Sequence, residues 1–200
     1  MQSHLALLLP VAAVWWAAGY LADRLPRLTH ARGLRRHAGW LLALTLAGLG
    51  LTVALPVAGL ATAGATLADR AASGLILATI PALVVAFCTV RRLRRLRAGA
   101  GALAVTPRTP APHGLRATAA HPLIGLPLQV TGLALVPALI AASGAGQFLG
   151  PGVTGPAITV GALGVGAIGV RHALRHSRLA ERAMPERSAA SARPAGVLHV

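Results

Sequence analysis

Residues 75–97 read LILATIPALVVAFCTVRRLRRLR: sixteen residues with almost no polar side chain, followed by five arginines in seven positions. A soluble helix spreads its charges along one face, whereas here they are collected at one end. A membrane-spanning helix ends in this way where its last turn meets the lipid headgroups on the cytoplasmic side. The stretch therefore predicts a transmembrane helix whose carboxyl end faces the cytoplasm.

The composition of the whole chain also indicates a protein that lies mostly in lipid. The 200 residues are 55% hydrophobic and 12% charged, with a mean hydropathy of +0.67, while soluble domains carry roughly 25% charged residues. The net charge of +15 comes from nineteen arginines and no lysine, and the chain has only six aromatic residues. Because no stretch interleaves basic with aromatic side chains, we do not expect nucleic-acid binding. The abundance of Arg, Ala, Gly and Pro is typical of a GC-rich bacterial genome.

Four more apolar runs flank the first, each long enough to cross a hydrocarbon core of about 30 Å. The sequence predicts an all-α integral membrane protein, a bundle of five transmembrane helices. The predicted spans are residues 5–22, 40–63, 74–90, 122–142 and 153–170. Residues 1–170 form the membrane domain, and 171–200 form a basic tail that begins as a helix and is partly disordered.

The arginines predict the orientation of the spans. The connections after spans one and three and the tail contain five, seven and six of them, and the connection after span two contains one. Basic residues accumulate on the cytoplasmic side, so we expect the amino terminus outside, the carboxyl terminus inside, and a multi-pass protein of the bacterial plasma membrane. Residues 91–121 are then a basic cytoplasmic loop, predicted to be mostly irregular because it is rich in Gly and Pro.

Small residues predict how the spans pack, because helices in lipid need close approach. Glycines are concentrated in span five, and we expect them to form a helix-packing face or a face for a partner protein: Gly161, Gly164, Gly166 and Gly169. Every span also contains a proline, which can kink a helix, although no inverted repeat accompanies them.

Candidates for chemistry are few. Acids are absent from the middle of every span, and the most polar buried side chains are expected to be Gln129 and Thr131, with Gln129 as an interhelical hydrogen-bonding group. Asp69 and Arg70 form the charged spot of the outer side. His172 and His176 stand four residues apart in HALRH, which lacks the glutamate of the HExxH zinc motif.

The arginines of the opening stretch are predicted to fix topology and to contact anionic lipid headgroups: Arg91, Arg92, Arg94, Arg95 and Arg97. The single cysteine, Cys88, is expected to be an apolar filler. We predict no cofactor and no metal site.

The first ninety residues resemble the membrane anchor of antirepressor-type membrane metallopeptidases. The likeness consists of an LLLP-containing first span, a short Arg-rich connection, a second span opening at Trp40, and basic residues after span three. A short Pro/Gly loop stands where that family carries its zinc motif, so the resemblance transfers no site residue.

The function we expect is that of a non-catalytic accessory or scaffolding component of a membrane complex, with a membrane-protein partner or as a homo-oligomer. A small transporter or permease subunit is the alternative, based on the prolines and Gln129. A weaker alternative is an enzyme with a site at the cytoplasmic mouth, such as His121 with Arg116.

Overall fold

The structure, a computed structural model, describes residues 3–61, 67–104, 106, 109–144 and 154–191, without the side chains of 3–4, 60, 67–70, 154–155 and 185–191. These ranges contain eight α-helices: α1 (Ser3–Arg24), α2 (Ala31–Ala61), α3 (Leu67–Val84), α4 (Val90–Leu103), α5 (His113–Ala119), α6 (Pro122–Ala134), α7 (Val136–Ser143) and α8 (Thr154–Ser191). A 3₁₀ turn, Leu25–Arg27, follows α1, and a π-helical turn, Val85–Thr89, joins α3 to α4.

Five segments are long and apolar enough to cross a membrane, which confirms the prediction of an all-helical chain with five such segments. They are Leu5–Arg27, Ala31–Gly59, Ala71–Leu103, His113–Ser143 and Pro156–Met184. Each overlaps one predicted span. The helices are longer than the spans because the basic residues beside the apolar runs continue the helical backbone.

Helix α1 lies at the centre and packs against α2, α3 and α6. Its buried side chains recur every three or four residues and form one stripe, which comprises Leu8, Val11, Trp15, Ala18 and Ala22. Small residues let the helices approach closely. A Cβ atom placed on Gly74 of α3 would lie 3.0 Å from the Cβ of Ala138 in α7, and one on Gly48 of α2 would lie 3.0 Å from the ring of Trp15.

The fourth apolar segment is broken near its middle. Helix α6 ends at Ala134, and α7 begins at Val136 with Pro137 in its first turn. Proline has no backbone N–H and therefore cannot continue the hydrogen-bond ladder of α6. In contrast, Pro10, Pro56, Pro81 and Pro127 lie inside continuous helices.

The prediction of a mostly irregular loop at residues 91–121 is wrong. The arginine-rich stretch is α4, and α5 follows it. Leu93, Leu96 and Ala100 recur at helical spacing, and all three are buried, while α4 packs against α2. Burial of this apolar stripe stabilises the helix, and most of the arginines occupy its exposed sides.

Helix α8 has two different halves. In its first half Ile158, Val160 and Leu163 are exposed, and burial begins only at His172, followed by Leu179 and Ala183. Helix α8 packs against α5 and α6, and its contact with α6 extends into the first half, where Cβ atoms on Gly164 and Gly169 would lie 3.3 and 3.4 Å from Leu133 and Leu126. The first half is therefore largely exposed with one edge on α6, and the buried side chains described in α8 belong to its basic half.

Candidate functional site

A cluster of charges joins the end of α1 to the basic half of α8; we call it the Asp23 cluster. Oδ2 of Asp23 accepts a hydrogen bond from Nη2 of Arg27 at 3.0 Å, and Oδ1 accepts one from Nη1 of Arg175 at 2.6 Å. Nη1 of Arg175 also donates to the backbone carbonyl of Asp23 at 3.0 Å, and Arg171 forms an ion pair with the same carboxylate. One carboxylate thus contacts three guanidinium groups.

The local sequence explains this arrangement. Asp23 occupies the last turn of α1, where the partial negative charge of the helix end disfavours a carboxylate. Arg27 stands four residues later and reaches back to it. Arg171 and Arg175, also four residues apart, lie on one face of α8. The cluster retains an excess of positive charge because three cations surround one anion.

A second polar network links three helices around Gln129 of α6. Its Nε2 donates to the backbone carbonyl of Gly19 in α1 at 3.3 Å, and its Oε1 lies 3.1 Å from Nε2 of His172 in α8. His172 is buried. The imidazole fits there because position 125 is a glycine: a Cβ on Gly125 would lie 2.1 Å from Cε1 of the ring. A side chain at position 125 would therefore displace His172 from Gln129.

His121 and Arg116, the pair considered for an enzyme, and His176 each lie within hydrogen-bond distance of a backbone group of the bundle. Nδ1 of His121 accepts a hydrogen bond from the N–H of Leu123 at 3.1 Å and so caps α6. Its ring lies 5.0 Å from that of His176, whose Nδ1 is 3.0 Å from the carbonyl of Ala117. Nε of Arg116 donates to the carbonyl of Pro26 at 3.1 Å. His172 lies beside Gln129 and His176 lies beside Ala117, so the two histidines have separate partners.

The four glycines predicted to form one face divide into two pairs. A Cβ on Gly164 would contact Leu133 at 3.3 Å, and one on Gly169 would contact Leu126 at 3.4 Å, so these two glycines face α6. No atom of the described residues lies within 4 Å of a Cβ on Gly161 or Gly166. Gly164 and Gly169 thus pack on α6, whereas a partner-facing role for Gly161 and Gly166 stays a prediction.

The other predicted residues are distributed over the bundle. Thr131 is buried, and its hydroxyl donates to the carbonyl of Pro127 in its own helix at 2.7 Å. Cys88 lies in the π turn and is partly buried. Asp69 and Arg70 belong to α3, but their side chains are outside the described part.

The arginines of α4 are not part of the Asp23 cluster. Arg91, Arg94, Arg95 and Arg97 are exposed, and Arg92 is partly buried. Arg94 and Arg97 border a shallow depression together with Arg35 of α2. Across the described ranges, no group of three or more His, Cys, Asp or Glu side chains could hold a metal ion.

The Asp23 cluster is the feature that sequence reasoning missed. In the sequence Asp23 is only an acid at the end of a span, because its contacts with α8 join residues 148 and 152 positions apart. The local signals were the Arg27 four residues after Asp23 and the arginines at i and i+4 after span five. They indicate charged helix faces but not which faces meet.

Comparisons of the chain with protein-family models, with curated proteins and with solved structures give no match.

Proposed function

We propose that the protein is an accessory or scaffolding component of a membrane complex, without catalytic activity of its own, and that α8 contacts a second membrane protein. In this proposal five helices span a bacterial plasma membrane, with the amino terminus outside and the arginine-rich end in the cytoplasm. The distribution of the arginines supports this orientation.

The exposure of α8 is the observation that carries the proposal. Only 6% of the most apolar part of this helix is buried, against 22% to 39% in the other four segments. Helices associate in lipid by close packing at small residues. Gly161 and Gly166 lie on this exposed half and have open space around them within the described structure. They can receive the backbone of a partner helix.

The hydrogen bonds that polar side chains make between the helices also support a packing role. Gln129 is hydrogen-bonded to two neighbouring helices, and Trp16 donates from Nε1 to the carbonyl of Gly132 at 3.0 Å. Among the described residues, no buried side-chain nitrogen or oxygen is without a hydrogen-bond partner. These hydrogen bonds join neighbouring helices of the bundle, including α8 through His172.

The test is to replace both open glycines with leucine, Gly161→Leu and Gly166→Leu, and to purify the protein from native membranes in a mild detergent. We expect the wild type to be recovered with a stoichiometric second membrane protein, visible in the mass of the intact particle. The double variant should insert normally and lose that protein, because leucine side chains prevent close approach of the partner helix.

Gly50→Leu is the matched control, since Gly50 is an exposed glycine of α2 that also has open space around it. It should retain the partner. Equal recovery of the partner with the double variant would refute the role of α8. A wild-type particle consisting of the chain alone would contradict an accessory role and favour the transporter alternative.

A further inference from the structure

A groove of about 900 Å³ lies beside the Asp23 cluster. Its walls come from the turn after α1, from α5 and from the basic half of α8. Six arginines line it: Arg27, Arg116, Arg171, Arg175, Arg178 and Arg182. We propose that this groove binds the phosphate headgroup of an anionic phospholipid.

The spacing of the arginines on α8 is the first argument. Residues 171, 175, 178 and 182 follow one another at intervals of four, three and four, which places them on one helical face. They extend over about 16 Å of helix, at roughly 1.5 Å per residue. An extended row of guanidinium groups suits phosphate oxygens, which arginine binds through paired N–H donors.

The Asp23 cluster positions part of this row. The carboxylate of Asp23 is 15% exposed, while the side chains of Arg27 and Arg171, which it holds, are 64% and 51% exposed. The guanidinium groups are thus fixed on one side and accessible on the other. Fixing side chains before a ligand arrives lowers the entropic cost of binding. Asp23 is a positioning residue in this site.

The wall of the groove explains why a lipid fits better than a free anion. Ala167, Val170 and Leu174 line the groove and lie on the same side of α8 as the arginines. Val170 and Leu174 are exposed. The surface therefore changes from apolar to basic along one helix face, as a lipid changes from acyl chain to phosphate. Glu181 is also exposed on α8, beside Arg182 in sequence, but does not line the groove.

A second basic surface serves as a comparison. Arg94 and Arg97 of α4 border a smaller depression of about 620 Å³, and no ion pair to either is found among the described residues. Both are among the arginines expected to contact anionic headgroups, but attraction to a charged membrane surface needs no defined site, and an uncharged detergent micelle lacks that surface. The proposal therefore predicts that loss of one groove arginine weakens lipid binding more than loss of both Arg94 and Arg97.

The experiment measures binding of phosphatidylglycerol to the full chain in an uncharged detergent, by native mass spectrometry over a lipid titration. Arg171→Gln and Arg178→Gln should each weaken the affinity by about fivefold, while phosphatidylcholine should bind weakly to every variant. Arg178 is exposed, so its variant tests the groove even if Arg171→Gln disturbs the Asp23 cluster.

Arg94→Gln with Arg97→Gln is the control and should leave the affinity within about twofold of the wild type. An equal loss in this control and in the groove variants would overturn the proposal, since charge alone would then explain binding. Leu174→Gln separates a lipid from free phosphate: it should weaken phosphatidylglycerol binding. Unchanged binding in Leu174→Gln, with inorganic phosphate displacing the lipid at micromolar concentration, would show that the ligand is a free phosphate and would overturn the lipid assignment.

Discussion

The indole of Trp15 is buried between α1 and α2, and its Nε1 donates a hydrogen bond to the hydroxyl of Thr52 at 3.1 Å. The same hydroxyl donates to the carbonyl of Gly48 at 2.7 Å. In a lipid environment a lost interhelical hydrogen bond cannot be replaced by water, so single polar contacts of this kind matter for the stability of the bundle.

Replacing Thr52 with valine should lower the free energy of unfolding by about 1 kcal/mol, because the N–H of Trp15 loses its acceptor in a buried position. The measurement is thermal or denaturant unfolding in detergent micelles. Thr45→Val is the matched control. Thr45 is equally buried, but its hydroxyl donates only to the carbonyl of Leu41 in its own helix at 2.7 Å. Equal losses in the two variants would show that Trp15 does not depend on Thr52.

A single residue type in the sequence indicates which side chain needs a partner but not which partner it has; Gln129 itself is only partly buried. Gln129 was expected to need a hydrogen-bond partner, and it contacts Gly19 and His172. The identity of those partners could not be predicted, because it depends on how α1, α6 and α8 are arranged in space. The glycines of α8 show the same limit. Their spacing does not say which of them another helix already covers.

At the scale of elements, the Asp23 cluster joins α8 to the end of α1. Asp23→Asn should weaken the attachment of α8 by about 1 kcal/mol, because the carboxylate that neutralises part of the charge of three arginines is lost and two of these arginines are exposed to solvent. Hydrogen–deuterium exchange of backbone amides at residues 171–184 is the measurement, and faster exchange is expected there. Glu181→Gln removes the same charge from an exposed site on α8. Similar exchange in the two variants would argue against an anchoring role for Asp23.

Helix α4 is the element that the sequence did not predict. Hydropathy identifies a span because the signal accumulates over about twenty residues of one kind. Leu93, Leu96 and Ala100 are only three positions among arginines and glycines, so their spacing was a weak signal. Their burial is a consequence of contact with α2, which local sequence does not report.

At the scale of the whole molecule, the proposed orientation predicts which ends of the bundle a reagent can reach from outside. The lone Cys88 should resist a membrane-impermeant thiol reagent applied to intact cells. In a Cys88→Ser background, Ser143→Cys at the end of α7 should be labelled, whereas Thr118→Cys in α5 should not. Both positions are exposed in the structure, so accessibility within the protein is matched. Labelling at position 118 with none at 143 would reverse the orientation.

The π turn between α3 and α4 has a consequence for how this protein can vary in length. A π turn contains one residue more than an α turn closed by the same number of hydrogen bonds. Deleting one residue there, such as Phe87, whose side chain is 75% exposed, converts the turn to α-helix and keeps the buried stripes on both sides in phase. The same deletion elsewhere in α3 would rotate every following side chain by about 100°. Single-residue deletions in this segment should therefore be tolerated at residues 86–88 and rejected in α3 and α4 on either side, while Val85 and Thr89 are buried and Thr89 donates a hydrogen bond to the carbonyl of Leu123.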